Sequence, residues 1–208
     1  RASLALAVGR VEQARAGIEA VQLRAPDSAA SGDALALQAV VDVVQNRPQQ
    51  ALVRAEQAVA IGPHRAAPLL ARSYAEQALF DLDAASRSAQ LAVETEPGNP
   101  LAWTRLSELR LMMRNLDGAL DAARRAAALD PGLMYSRTVL GFADLINLDA
   151  PAARAAFEDA SGFDQASPLP HLGAGLAMIM EGHLKAGRRR LEIAANLDPG
   201  NALIRSYL

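Results

Sequence analysis

The side chains best suited to move a proton near neutral pH, or to hold a metal through a ring nitrogen, are His64, His171 and His183. Their spacing argues against both uses. There is no His-x-x-x-His pair and no histidine–carboxylate pair at ligand spacing, and His171 and His183 fall near opposite ends of one helical stretch and its following turn. The acidic residues are scattered, and none are spaced as a general acid and base. No nucleophile has a partner base nearby in the pattern. With no cysteine, thiol nucleophiles, disulfides and cysteine-based zinc sites are excluded. Gly173 and Gly175 make a short G-x-G, but inside a helical pattern with no strand before it, which is not a dinucleotide loop. The chain is therefore expected not to be an enzyme and to need neither metal nor cofactor.

The basic residues are equally uncommitted. Arg188, Arg189 and Arg190 are consecutive on a helix, so they point in three directions and read as a solvated outer face rather than a phosphate or lipid patch; Arg124 and Arg125 read the same way. Lys185 is the one lysine. A net charge of -2 supplies no long-range field for nucleic acid or an anionic membrane. No apolar run reaches the roughly 18 residues of a membrane span. Alanine is about a fifth of the chain, far above ordinary usage, and aromatics are only 4%. That composition suits helices packed with their backbones close together. The Ala/Arg-rich composition looks bacterial, and the absence of cysteine fits cytoplasm or periplasm alike.

What positions these residues is a repeat. Glu96-Pro97-Gly98-Asn99 recurs as Leu129-Asp130-Pro131-Gly132 and as Leu197-Asp198-Pro199-Gly200-Asn201, and Pro97 and Pro131 are 34 residues apart. One step back from Pro97 lies Pro63. A fixed period of this length is the mark of a solenoid whose units stack on their neighbours. Counting the proline as place 32 of each unit gives full units at 32–65, 66–99, 100–133, 134–167 and 168–201. A partial unit fills 1–31, with Pro26 as its closing proline and Gly9, Ala14, Ile18 and Val21 in register. A further unit opens at 202–208. The whole of 1–208 then reads as a single solenoid, expected to be a piece of a longer one.

Within each unit, place 20 is Ala51, Ala85, Ala119, Ala153 and Gly187, and place 27 is Ala58, Ala92, Ala126, Ala160 and Ala194. Seven residues apart, these lie on one helix face where another backbone must come close. Each unit should contain a helix A over roughly places 2–14 and a helix B over roughly places 18–31. The turn between them carries Asn46, Asp81, Asn115 with Asp117, Asn147 with Asp149, or Gly182. The proline should stop helix B near place 30. Gly98, Gly132 and Gly200 should then supply a permissive backbone, and Asn99-Pro100 and Ser167-Pro168 should cap the next helix. Val40-Val41-Asp42-Val43-Val44 is strand-like by propensity, but the register places it in helix A of 32–65.

This pattern resembles the tetratricopeptide repeat (TPR) family. Unit 100–133 carries it best, with Trp103, Leu106, Ala119, Ala126 and Pro131. Unit 134–167 has Leu140-Gly141, Ala153, Phe157 and Ala160, with Gln165 in place of the proline; unit 168–201 has Gly175, Leu191 and Ala194. The Tyr or Phe usual at place 11 is here Glu76, Arg110, Asp144 or Met178, which suggests looser packing or charge pairing there. The resemblance implies an all-α fold, an α-solenoid of antiparallel helix pairs with a right-handed superhelical twist, helix A lining a concave groove. It also implies binding of a peptide or protein segment rather than catalysis.

The family's groove positions carry over to Tyr74 and Gln77, to Leu101, Thr104, Arg105, Glu108 and Met112, to Tyr135, Thr138, Phe142 and Ile146, and to Leu169, Leu172, Leu176 and Met180. No lysine or asparagine stands among them and Arg105 is the one arginine, so the carboxylate grip of some members is not expected. The groove reads as apolar with aromatic points at Tyr74, Tyr135 and Phe142, suited to an apolar or amphipathic segment. The alternative is a structural spacer within a larger bacterial envelope or secretion protein. Oligomeric state stays open.

Overall fold

A computed structural model of the chain describes residues 28–208. The partial unit expected over 1–31 lies outside the described residues except for its end. Among the described residues there are eleven helices and no strand: α1 (Ala29–Val44), α2 (Pro48–Ile61), α3 (Ala66–Ala78), α4 (Leu82–Thr95), α5 (Pro100–Met112), α6 (Leu116–Leu129), α7 (Met134–Ile146), α8 (Ala150–Phe163), α9 (Pro168–Met180), α10 (Leu184–Leu197) and the short α11 (Ala202–Arg205). From α3 onward the odd-numbered helices begin every 34 residues. The fold class is an α-solenoid of antiparallel helix pairs. The strand-like Val40–Val44 segment is helical, as the register requires, because α1 buries Ala36 and Ala39 against Ala55 and Ala58 of α2 and Ala71 of α3. Tertiary burial overrides the β-propensity of the valines.

The chain divides into two compact units, one ending at Arg105 and the other beginning at Leu106. In the first, α1 pairs with α2 and α3 with α4, and α3 packs on both α1 and α2. In the second, α7 pairs with α8 and α9 with α10; α8 also packs on α9, and α6 on α7. The small residues at the A–B seam are fully buried: Ala51, Ala85, Ala119 and Ala153 have no exposed surface, nor have Ala58, Ala92, Ala126, Ala160 and Ala194. Contact is close enough for side chains to reach the opposite backbone. Ser73 Oγ donates to the Ala85 carbonyl at 2.9 Å, and Ser107 Oγ donates to that of Ala119 at 2.8 Å.

The turns correct one expectation. The glycines after the prolines do not adopt left-handed backbone; that conformation sits instead between helices A and B of every pair. It falls on Asn46 (φ 57°), Phe80 (66°), Arg114 (60°), Leu148 (64°) and Gly182 (85°), of which only Gly182 takes it without a steric cost. In three of the pairs the residue after it caps helix B. Asp81 Oδ1 accepts from the Ala84 N–H at 2.9 Å, Asn115 from Gly118 and Asp149 from Ala152, both at 3.1 Å. Asn99 caps as expected, accepting from the Leu101 N–H at 3.0 Å, whereas Ser167 holds the N-cap position without a side-chain bond. Helix B ends at the expected place 30, at Ile61, Thr95, Leu129, Phe163 and Leu197.

Candidate functional site

In the first unit the candidate residues lie on α3 and the start of α5. Arg105 is the largest fully buried side chain, at 2% exposure. Its Nε donates to Ser73 Oγ and its Nη2 to the Ser73 carbonyl, each at 3.0 Å, while its guanidinium carbon stands 4.0 Å from the centre of the Tyr74 ring. A planar cation lying on an aromatic face, with its fork satisfied by backbone and hydroxyl, is held in place rather than offered to a ligand. Thr104 is also buried, its Oγ1 donating to the Pro100 carbonyl at 2.8 Å. Tyr74 and Gln77 are half-buried, and Leu101 is exposed.

In the second unit the structure brings Glu108 and Tyr135 together, the phenol donating to the Glu108 carboxylate. Thr138 is buried and donates to the Met134 carbonyl at 2.9 Å. Phe142 is half-buried, its ring edge-on to Phe157 at 4.9 Å between centres. Leu172 belongs to a core cluster with Leu191, Ala194 and Ile204, and Leu176 packs against that cluster while remaining half-buried. What stays open is the last turn of each A helix, where Met112, Ile146 and Met180 are 49%, 45% and 46% exposed, and the first turn of α9, where Leu169 is 42% exposed.

The acidic residues standing where an aromatic ring is usual find partners, as the charge-pairing expectation has it. Glu76 accepts from Ser88 Oγ at 2.6 Å with Arg72 3.5 Å away, yet burial dominates and pushes its carboxyl above the ordinary value. Asp144 is buried, and desolvation raises it too, although Arg124 approaches to 4.0 Å. Arg110 donates to the Gly118 carbonyl at 3.0 Å. Glu96 behaves oppositely: it accepts from the Ala66 N–H at 2.9 Å and from Asn99 Nδ2 at 3.0 Å, and those bonds hold it below the ordinary value. Among the described residues no group of three His, Asp or Glu side chains is placed to hold a metal ion, and no helix is long and apolar enough to cross a membrane.

What spacing alone did not reveal is the internal commitment of Arg105. Its signal was the Ser73-Tyr74 pair one repeat earlier, a hydroxyl and an aromatic face presented together to the arginine.

No family model matches the sequence, and no curated protein matches it. Solved structures do. TTC0263, a thermophilic TPR protein of Thermus thermophilus, superposes with a TM-score of 0.72 at 16% identity, covering 85% of this chain and 96% of its own. PilF of Pseudomonas aeruginosa gives 0.72 at 18% identity, over 83% of this chain and 79% of its own. YrrB, a TPR protein with an unusual peptide-binding site, gives 0.61 at 14% identity, over 91% and 96%. With helix starts recurring every 34 residues and these likenesses spanning most of its length, the chain has the tetratricopeptide-repeat fold.

Proposed function

We propose that this chain is a protein-interaction scaffold whose A helices dock a peptide or protein segment of apolar or amphipathic character. The observation that carries the reading is the recurrence of exposed apolar side chains at one helical place. Met112, Ile146 and Met180 all close an A helix in the second unit and all remain nearly half exposed. Exposed apolar groups repeated in register mark interaction surfaces more often than chance scatter does. Flexible methionines adapt to varied apolar partners. In the second unit Leu169 repeats the theme at the start of α9, and Glu108, Tyr135, Phe142 and Leu176 of its A helices are half-buried. In the first unit the A-helix residues of the same kind are the exposed Leu101 and the half-buried Tyr74 and Gln77. Thr104 and Arg105 in the first unit, and Thr138 and Leu172 in the second, are buried and so stand outside the docking contacts proposed. YrrB, which shares the fold, is described with a peptide-binding site.

The test is selection of binding peptides from a random display library, followed by titration against the double variant Ile146→Glu and Met180→Glu. Both positions are exposed, so the melting temperature should hold while affinity falls about tenfold or more. Undiminished affinity in a folded variant would remove the A-helix face from the binding surface.

A further inference from the structure

α10 carries Lys185, Arg188, Arg189 and Arg190 within two turns. Arg188 is paired along the helix with Glu192 at 3.2 Å. The other three converge. Together with Met178 of α9 and Ala186 and Ile193 of α10 they line a concavity of about 540 Å3, with three cations at its wall, three apolar side chains and no carboxylate. Lys185, Ala186, Arg189, Arg190 and Ile193 share one face of α10 because they fall at successive helical turns. None of the six is among the docking residues proposed for the A helices.

Two further observations show that the cations are arranged rather than scattered. Arg190 is tied down: its Nη1 donates to Nδ1 of the buried His171 at 3.2 Å, while His171 Nε2 bonds the Gln165 carbonyl at 3.1 Å. The guanidinium is thus anchored on one edge with its other N–H groups left for a ligand. In addition, the places of the three cations are acidic at Asp83 in α4 and at Asp117 and Asp121 in α6. Where another unit carries an arginine there, at Arg54 or Arg87, it is the one cation of the three places. The combination of three cations in one lining is specific to this helix pair.

We infer that the Lys185–Arg189–Arg190 concavity is a second docking site, for an acidic peptide segment that carries an apolar residue among its carboxylates. Charge complementarity selects the acidic partner, and the Met178 and Ile193 walls select the apolar side chain within it. A fork such as Arg189 or Arg190 matches a carboxylate in two-point geometry, and Lys185 adds a mobile point charge.

The experiment titrates the protein with a short fluorescein-labelled peptide alternating aspartate and leucine, read by anisotropy. Matched probes replace aspartate with asparagine, or replace the peptide with phosphatidylglycerol vesicles. The double variant Lys185→Glu and Arg189→Glu, both exposed and therefore tolerant of reversal, should lose about tenfold or more in affinity at unchanged helix content. Wild-type binding should weaken as salt is raised, and the asparagine peptide should not bind. Equal binding of the asparagine peptide, binding of vesicles but not of the acidic peptide, or unchanged affinity in the reversed variant would each overturn the assignment.

Discussion

The ring of Phe157 lies against the backbone of Gly173: a β-carbon placed there would sit 2.2 Å from Cζ. Gly141 stands against the same ring, where a β-carbon would approach to 2.7 Å from Cε1. Phe157 is fully buried, with Phe142 edge-on beside it and Ala153, Ala174 and Ala177 in the same cluster. Such a ring has nowhere to retreat, because interiors are packed to crystal-like density. Gly173→Ala should destabilise the fold by about 1–3 kcal/mol despite alanine's better helix propensity. Chemical denaturation measures the loss. Phe157→Leu in the same background should recover part of it, so the two changes should be non-additive.

This site shows what was legible in the sequence. Where place 24 carries alanine, at Ala55, Ala89 and Ala123, place 8 carries a small side chain, Ala39, Ser73 or Ser107. Where place 24 is large, at Phe157 and Leu191, place 8 is a glycine, Gly141 or Gly175. Gly175 would bring a β-carbon to 2.8 Å from Leu191. The exchange of volume across the seam is written in the repeat itself. Helix positions, the places of the turns and the buried alanines were equally legible, since period and punctuation determine them. The left-handed backbone at Phe80, Arg114 and Leu148 was not, because those residue types do not mark it. The candidate surface was read less well. Periodicity assigns a residue to a face, but it does not say whether a partner chain segment already occupies that face. Leu172 and Thr138 share the A-helix register with the exposed Leu169 and Ile146, and only packing separates buried from open. Nor could spacing show that Arg105 is spent on Ser73 and Tyr74.

That commitment makes Arg105 a stability determinant. Arg105→Ala removes two charge-assisted bonds and the stacking on Tyr74, and leaves Ser73 Oγ without its donor. The expected loss is about 2–4 kcal/mol, read by urea unfolding. Arg105→Lys keeps the charge but not the planar fork, so it should restore only a part. A neutral result for the alanine variant would show that the arginine is not braced as described.

Asp144 predicts a pH effect of definite sign. Burial raises its folded-state carboxyl above the ordinary 3.8, so the folded chain takes up the proton more readily than the unfolded one. The stability that comes from this preference is fully present below 3.8 and is lost as pH rises through the raised folded value. At neutral pH the ionised, desolvated carboxylate is therefore a net burden. Asp144→Asn should raise the melting temperature at pH 7, and the difference from wild type should shrink as both are acidified toward 3.8. A variant less stable than wild type at neutral pH would mean that the Arg124 contact at 4.0 Å outweighs desolvation.

The left-handed turns supply the last test. Leu148 holds φ at 64° while its side chain is 78% exposed, so it bears the steric cost of that region with little burial to offset it. The cost for an L-residue is about 1–2 kcal/mol. Replacing it with glycine removes that cost but adds unfolded-chain entropy of about 0.5–1 kcal/mol. Leu148→Gly should therefore stabilise by about 0.5–1 kcal/mol. The reciprocal change, Gly182→Ala at φ 85°, should destabilise by about 1 kcal/mol. Thermal melts of the two variants against wild type measure both signs. If Leu148→Gly lowered the melting temperature instead, the exposed leucine would have to contribute to stability through contacts made by its side chain.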